Sequence, residues 1–122
     1  MKKHVVLIED DPAIRELLDD CLEEGGYRVT PLAQLESVEE LIALEADAFV
    51  IEEHLPVTSG HIICIILKSK PETRHLPVIL ISADEGLEHT ASLCNADAYL
   101  LKPFNDYLQV QSLLNKVLSV KA

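Results

Sequence analysis

An apolar run that stops abruptly at two carboxylates constrains this chain more than any other stretch: Asp47-Ala48-Phe49-Val50-Ile51-Glu52-Glu53-His54-Leu55-Pro56. Ala48 to Ile51 are apolar and partly β-branched, and Pro56 forces a turn just beyond them. A short uninterrupted apolar run bounded by turn chemistry reads as a strand buried on both faces, which belongs inside a parallel sheet. The carboxyl end of such a strand is where open α/β sheets place their functional groups. Glu52 stands at that end, so what its side chain can reach decides much of what the chain can do.

The remaining segments alternate around this strand. Val5-Val6-Leu7-Ile8 reads as a first buried strand. Asp11 is placed to cap a helix that starts at Pro12, the favoured first helical residue. Ile14, Leu17, Leu18, Cys21 and Leu22 form its apolar face, and Gly25-Gly26 ends it. Tyr27 to Thr30 reads as a short strand. Ser37-Val38-Glu39-Glu40 has the capping-box pattern and opens a second helix to about Leu44. A third helix is expected from Ser59-Gly60 to Ser69, with Pro71 in the loop after it. Val78 to Ile81 reads as a fourth strand ending at Ser82-Ala83-Asp84, and a short helix lies between Glu85 and Cys94, with Asn95 suited to a left-handed cap. Ala98 to Leu101 is a fifth strand ending at Lys102-Pro103-Phe104. Asn105 is placed to cap a last helix carrying Val110, Leu113, Leu114, Val117 and Leu118. Strict strand–helix alternation implies an α/β fold, a doubly wound five-stranded parallel sheet with five helices covering both faces.

Composition excludes several classes. A chain of 122 residues is expected to form a single domain over residues 1–122, large enough to bury a core without staples. No apolar run approaches the roughly 18–20 residues that a membrane helix needs. The start, Met1-Lys2-Lys3-His4, reaches only a short apolar run before Glu9-Asp10-Asp11, which does not fit a signal peptide. Cys21, Cys64 and Cys94 sit at apolar positions without a CxxC pair, so they are expected as reduced core residues of a cytoplasmic protein. A net charge of −11 argues against a direct nucleic-acid surface, because phosphate binding is driven by clustered Lys and Arg.

In a parallel sheet the strand ends share one edge, so Glu9-Asp10, Glu52, Ser82 and Lys102 converge. At this point the chain resembles the receiver domain of two-component response regulators. The resemblance rests on four segments: Leu7-Ile8-Glu9-Asp10-Asp11-Pro12, Glu52 followed by Pro56 and Ser59-Gly60, Pro77-Val78-Ile79-Leu80-Ile81-Ser82-Ala83, and Tyr99-Leu100-Leu101-Lys102-Pro103-Phe104. It covers essentially the whole chain and implies a flavodoxin-like sheet of strand order 2-1-3-4-5. It implies that Glu9 and Asp10 match an acidic pair that holds Mg²⁺, and that Ser82 matches the hydroxyl that bonds a phosphoryl group. Lys102 matches the lysine that neutralises it, Pro103 the proline after a cis peptide bond, and Tyr99 the aromatic that swings inward on activation. Glu52 falls on the phosphoacceptor position, where the family has Asp. The stretch from Ser82 to Tyr99 is also shorter than the family's usual spacing, and Val57 replaces a common glycine.

Glu52 is still a carboxylate, but its extra methylene carries it about 1.5 Å further out. A misplacement near 1 Å costs a positioned reaction about a hundredfold. There the side chain can meet Lys102, directly or through Ser82, and fill space that a phosphoryl group would need. Two like charges 4 Å apart repel by about 4 kcal/mol at an effective dielectric of 20, so the carboxylates need a counter-charge. Either Lys102 supplies it or Mg²⁺ does, held by Asp10, Glu52 and the main-chain carbonyl of His54. The expected function is therefore an atypical (pseudo-)receiver, a non-enzymatic, phosphorylation-independent interaction module with a signalling protein or a fused effector or kinase domain as partner. The alternative is a working receiver that takes a phosphoryl group from a histidine kinase with Mg²⁺. A metal-dependent phosphatase or a flavin binder is disfavoured, since no Gly-rich or Ser/Thr-rich loop follows the first strand.

The third helix carries one more signal. His61 to Leu67 is apolar almost all round, where a surface helix shows one stripe. In the family register Ile63, Cys64 and Leu67 face the sheet, which leaves Ile62, Ile65 and Ile66 as an exposed ridge marking a homodimer or docking interface. The bland alternatives are that loops fold over the ridge or that the helix is rotated and His61 is exposed. His61 itself reads as a packed histidine, and the acidic run from Glu36 to Glu45 as a solvated helix face.

Overall fold

The computed structural model describes residues 1–104 and 106–121, without the side chains of Val120 and Lys121. Its elements are β1 (His4–Ile8), α1 (Pro12–Glu24), β2 (Arg28–Leu32), α2 (Glu39–Ala43), β3 (Ala48–Glu52), α3 (Gly60–Ser69), β4 (Val78–Ser82), α4 (Leu87–Leu93), β5 (Ala98–Leu101) and α5 (Leu108–Lys121). The sheet is parallel throughout, with strand order β2-β1-β3-β4-β5. This is the doubly wound arrangement expected from the alternation and the resemblance.

Residues of β1, β3 and β4 are buried along their whole length, because helices cover both faces. Their side chains alternate between two cores. Val6, Ile8, Phe49, Ile51 and Leu80 point towards Leu41, Ile63, Cys64, Leu67 and Leu87. Val5, Leu7, Val50, Ile79 and Ile81 point towards Leu18, Leu22, Val110 and Leu114.

Local chemistry explains most boundaries. Asp11 accepts hydrogen bonds from the main-chain N–H groups of Ala13 and Ile14, with Pro12 opening α1. Asn95 has φ of 60°, the left-handed conformation expected after α4, and Glu45 adopts one (φ 52°) after α2. Only half of the capping box forms at α2: the Glu40 carboxylate accepts from the Ser37 N–H, while Val38 occupies the cap position without a side-chain bond. Asn105 lies outside the described residues.

Two expectations need correction. Leu17, placed by periodicity on the buried face of α1, is half exposed, because the sheet covers a narrower stripe around Leu18, Cys21 and Leu22. The second strand runs to Leu32 through Pro31 rather than ending at Thr30. Proline is tolerated there because β2 is an edge strand and its missing N–H would face away from the sheet.

At the amino edge of the sheet, an aspartate ahead of β3 caps β1 and another ahead of β5 caps β4. The Asp47 carboxylate accepts from the His4 N–H at 2.7 Å, and Asp97 accepts from the Val78 N–H at 2.8 Å. Asp97 also holds Lys68 Nζ at 2.7 Å, and Lys68 donates to the Leu76 carbonyl at 2.9 Å. Asp97→Ala strands both a largely buried ammonium and a strand N–H, so we expect it to cost about 2–4 kcal/mol in chemical denaturation. Lys68→Met should cost less, because Asp97 keeps its bond to Val78; equal losses in denaturant midpoint would show that the strand cap contributes nothing.

Candidate functional site

The carboxyl edge of the sheet gathers the polar strand ends into one pocket. Glu9 follows β1 and is fully buried, Glu52 ends β3 at 5% exposure, and Ser82 ends β4 fully buried. The Lys102 ammonium, delivered from the end of β5, donates hydrogen bonds to Glu9 Oε1 and to Glu52 Oε1. The contact between Glu52 and Lys102 is direct and does not pass through Ser82. The remaining carboxylate oxygens turn to main-chain donors: Glu52 Oε2 accepts from the His54 N–H at 2.9 Å and Glu9 Oε2 from the Asp11 N–H at 3.4 Å.

Burial is the main pressure on this triad. It pushes the Glu9 pKa upward, and the Glu52 charge adds to the rise, while Lys102 works against both. For Lys102 burial alone would lower the pKa, but its bonds to Glu52 and Glu9 outweigh that and raise it. One ammonium is shared between the two glutamate side chains.

Other predicted residues are dispersed around the triad. Asp10 is exposed. Ser82 Oγ accepts from the Asp84 N–H at 3.1 Å. The Lys102–Pro103 peptide bond is cis. Tyr99 lies on the edge strand β5 at 36% exposure, in register with Leu80. Ile62, Ile65 and Ile66 are on α3, where Ile63, Cys64 and Leu67 face the core. Ile62 and Ile65 stand about half exposed and Ile66 is partly covered.

Of the metal set expected from Glu9, Asp10, Glu52 and the His54 carbonyl, Glu9 and Glu52 meet at Lys102 while Asp10 is exposed. The inner oxygens of Glu9 and Glu52 face Lys102, and among the described residues no group of three His, Cys, Asp or Glu side chains could hold a metal ion.

Sequence reasoning missed three participants. Glu53, read as part of a turn, is buried and caps α3: its carboxylate accepts from the His61 N–H at 2.7 Å and meets His61 Nδ1 at 2.5 Å. Ser59, at the cap position, makes no such bond. The Glu53 carbonyl also accepts from the Gly60 N–H at 2.9 Å, and a Cβ on Gly60 would lie 2.5 Å from the Glu52 carbonyl oxygen. Glycine is required there by close approach. Asp84 reaches His54 Nε2 at 3.1 Å across the pocket mouth, and its pKa is lowered by the Gly86 N–H and then by His54. Arg15 donates to the Glu9 carbonyl at 2.8 Å from one turn into α1. These pairs lie far apart in sequence or in loops, where neither helical nor strand periodicity marks them.

Lys102→Ala should cost about 3–5 kcal/mol at neutral pH, since it leaves two buried carboxylates without a counter-charge. The raised Lys102 pKa contributes stability that is fully present below the ordinary lysine value and is lost as pH rises through the raised one. The gap between wild type and Lys102→Ala should therefore close at strongly alkaline pH. It should also narrow in acid, as the carboxylates protonate. A gap in denaturant midpoint that stays constant with pH would show that the ammonium is solvated. For Glu9 the sign is the same, in a lower pH window. A raised carboxylate pKa means that stability falls as pH rises from the ordinary glutamate value through the raised one, so Glu9→Gln should flatten the pH profile in that window.

Comparison with known proteins gives a consistent result. The family model for the response regulator receiver domain matches residues 5–114. The chain is 33% identical over 107 residues to the response regulator protein FleR of Pseudomonas aeruginosa, covering 85% of this chain and 22% of that protein. It is 32% identical over 108 residues to the phosphate regulon transcriptional regulatory protein PhoB of Rhizobium meliloti, covering 86% of this chain and 48% of that protein. It thus spans half or less of the length of these relatives. Among solved structures, the receiver domain of a sensor histidine kinase from Pseudomonas aeruginosa, with a magnesium ion in its active-site cleft, superposes with a TM-score of 0.87 at 24% identity, covering 98% of this chain and 99% of that one. The receiver domain of a histidine kinase from Syntrophus aciditrophicus gives 0.80 at 26% identity, covering 96% and 90%.

Proposed function

We propose, from the premise that this chain belongs to the response regulator receiver domain family, that it is a receiver of two-component signalling which works without being phosphorylated. Receivers are signalling modules that engage kinases and effector domains, and the finer reading concerns how this one is switched. One observation carries it: the Lys102 ammonium is bonded to both Glu9 and Glu52. In the family pattern that lysine is the counter-charge for an incoming phosphoryl group and the acidic pair is the metal seat. Here Glu52 stands at the acceptor position with its carboxylate already on Lys102, and Glu9 is drawn into the same contact.

An acyl phosphate on Glu52 would carry about −1.5 to −2 charges in place of the carboxylate's single one, next to buried Glu9, and would need Lys102 released from the Glu52 carboxylate. Glu52 mimics the position of a phosphorylated side chain without its charge. The partner is proposed to be a signalling protein or a fused effector or kinase domain, recognised through protein surfaces. With a net charge of −11, any contact with nucleic acid would be made by another domain. Among the described residues no helix is long and apolar enough to cross a membrane.

The competing reading is a working receiver phosphorylated on Glu52, which remains a carboxylate nucleophile. Incubation with acetyl phosphate and Mg²⁺ followed by intact mass spectrometry separates the two. The expected outcome is no added phosphate on the wild type and partial phosphorylation of Glu52→Asp, whose shorter side chain releases Lys102. A phosphate mapped to Glu52 would overturn the proposal. If neither protein is modified, the shortened segment around α4, and not Glu52, is the block.

A further inference from the structure

The outer face of α3 is apolar where it meets solvent. No charged residue occurs on the helix before Lys68, and Ile62 and Ile65 are 44% and 48% exposed. Val57, in the loop ahead of the helix, is 62% exposed. Beside this ridge runs a groove of about 330 Å³ between α3 and the segment leading into α2, with Leu35, Val38, Val57 and Ile66 lining its apolar part and Glu36 and Glu39 at its rim. Glu36, Glu39 and Glu40 are exposed. The basic residue in the groove, Lys70, is 3.8 Å from Glu39 and partly neutralised by it.

We infer that this groove receives an amphipathic helix from a different protein, with an apolar stripe set over Val57, Ile62, Ile65 and Ile66 and Lys or Arg side chains against Glu36 and Glu39. Grooves of this form take helices through anchors spaced i, i+3, i+4 and i+7. The acidic rim selects the sign of the flanking charge. A second copy of this chain is the poorer occupant, because a two-fold contact would set one acidic α2 segment against another. The few half-exposed side chains of the ridge also fall well short of the roughly 800 Å² per partner that a stable dimer buries. The inference rests on the reading that the domain signals without a phosphoryl group, for which this surface would be the output.

The test is an NMR titration of ¹⁵N-labelled protein, without phosphodonor, with a synthetic helical peptide bearing leucines at i, i+3, i+4 and i+7 flanked by lysines. The control peptide carries glutamates at the lysine positions. We expect shifts centred on Val57, Ile62, Ile65 and Ile66, binding that weakens with salt, and little response to the control. Ile65→Glu should reduce affinity by about tenfold or more, as a charge enters an apolar contact. Thermal melting confirms that the variant folds, and Glu39→Lys provides a second variant that leaves the ridge intact and should also weaken binding. Shifts centred elsewhere or equal binding of the two peptides would overturn the inference. Sedimentation showing a dimer that Ile65→Glu dissociates would overturn it in favour of a second copy. Binding at this surface only after treatment with acetyl phosphate and Mg²⁺ would leave the surface standing and sink the phosphorylation-independent reading. No binding under either condition would sink the surface alone.

Discussion

The arrangement of the pocket depends on one ammonium group shared by two buried carboxylates. Glu9 and Glu52 come from adjacent strands, β1 and β3, and both are almost completely removed from water. Without Lys102 their repulsion and desolvation would have to be relieved by protonation, by water or by a cation. With it, the loop after β5 is tied back across the sheet to two other strand ends. The same contact that balances the charge thus draws three segments of the carboxyl edge together.

A second tie runs from this pocket to α3. Glu53 is the residue after Glu52, and its carboxylate and carbonyl satisfy the first N–H groups of the helix, which Ser59 leaves without a side-chain partner. Gly60 lets the helix begin directly against the Glu52 carbonyl. Glu52 and the apolar ridge of α3 are therefore two ends of one closely packed segment.

Much of the fold was legible because burial on both faces leaves uninterrupted apolar runs. Val5–Ile8, Ala48–Ile51 and Val78–Ile81 can be read without knowledge of their neighbours. Caps and turns with local chemistry, such as Asp11-Pro12 and Asn95, were equally readable. The meeting of Glu52 with Lys102 followed from strand ends sharing an edge. What periodicity could not supply was set by tertiary position. Leu17 continues a helical stripe wider than the sheet covers, and Pro31 is acceptable only because β2 has no outer neighbour. The involvement of Glu9 with Lys102 depended on the ammonium reaching between two strands, and the burial of Glu53 on the path of a loop.

The aspartate caps at the opposite edge divide the sheet into a conservative side and a permissive one. Asp47 and Asp97 fasten the beginnings of β1 and β4 to their neighbours through side-chain bonds to main-chain N–H groups. Strand alignment is thereby anchored at the edge of the sheet opposite the pocket of Glu9, Glu52 and Lys102. A substitution at the carboxyl ends can alter charge or reach without asking any strand to slide. A change of length or charge at position 52 need not disturb how the strands align, because the groups that fix their alignment lie at the opposite ends of the same strands.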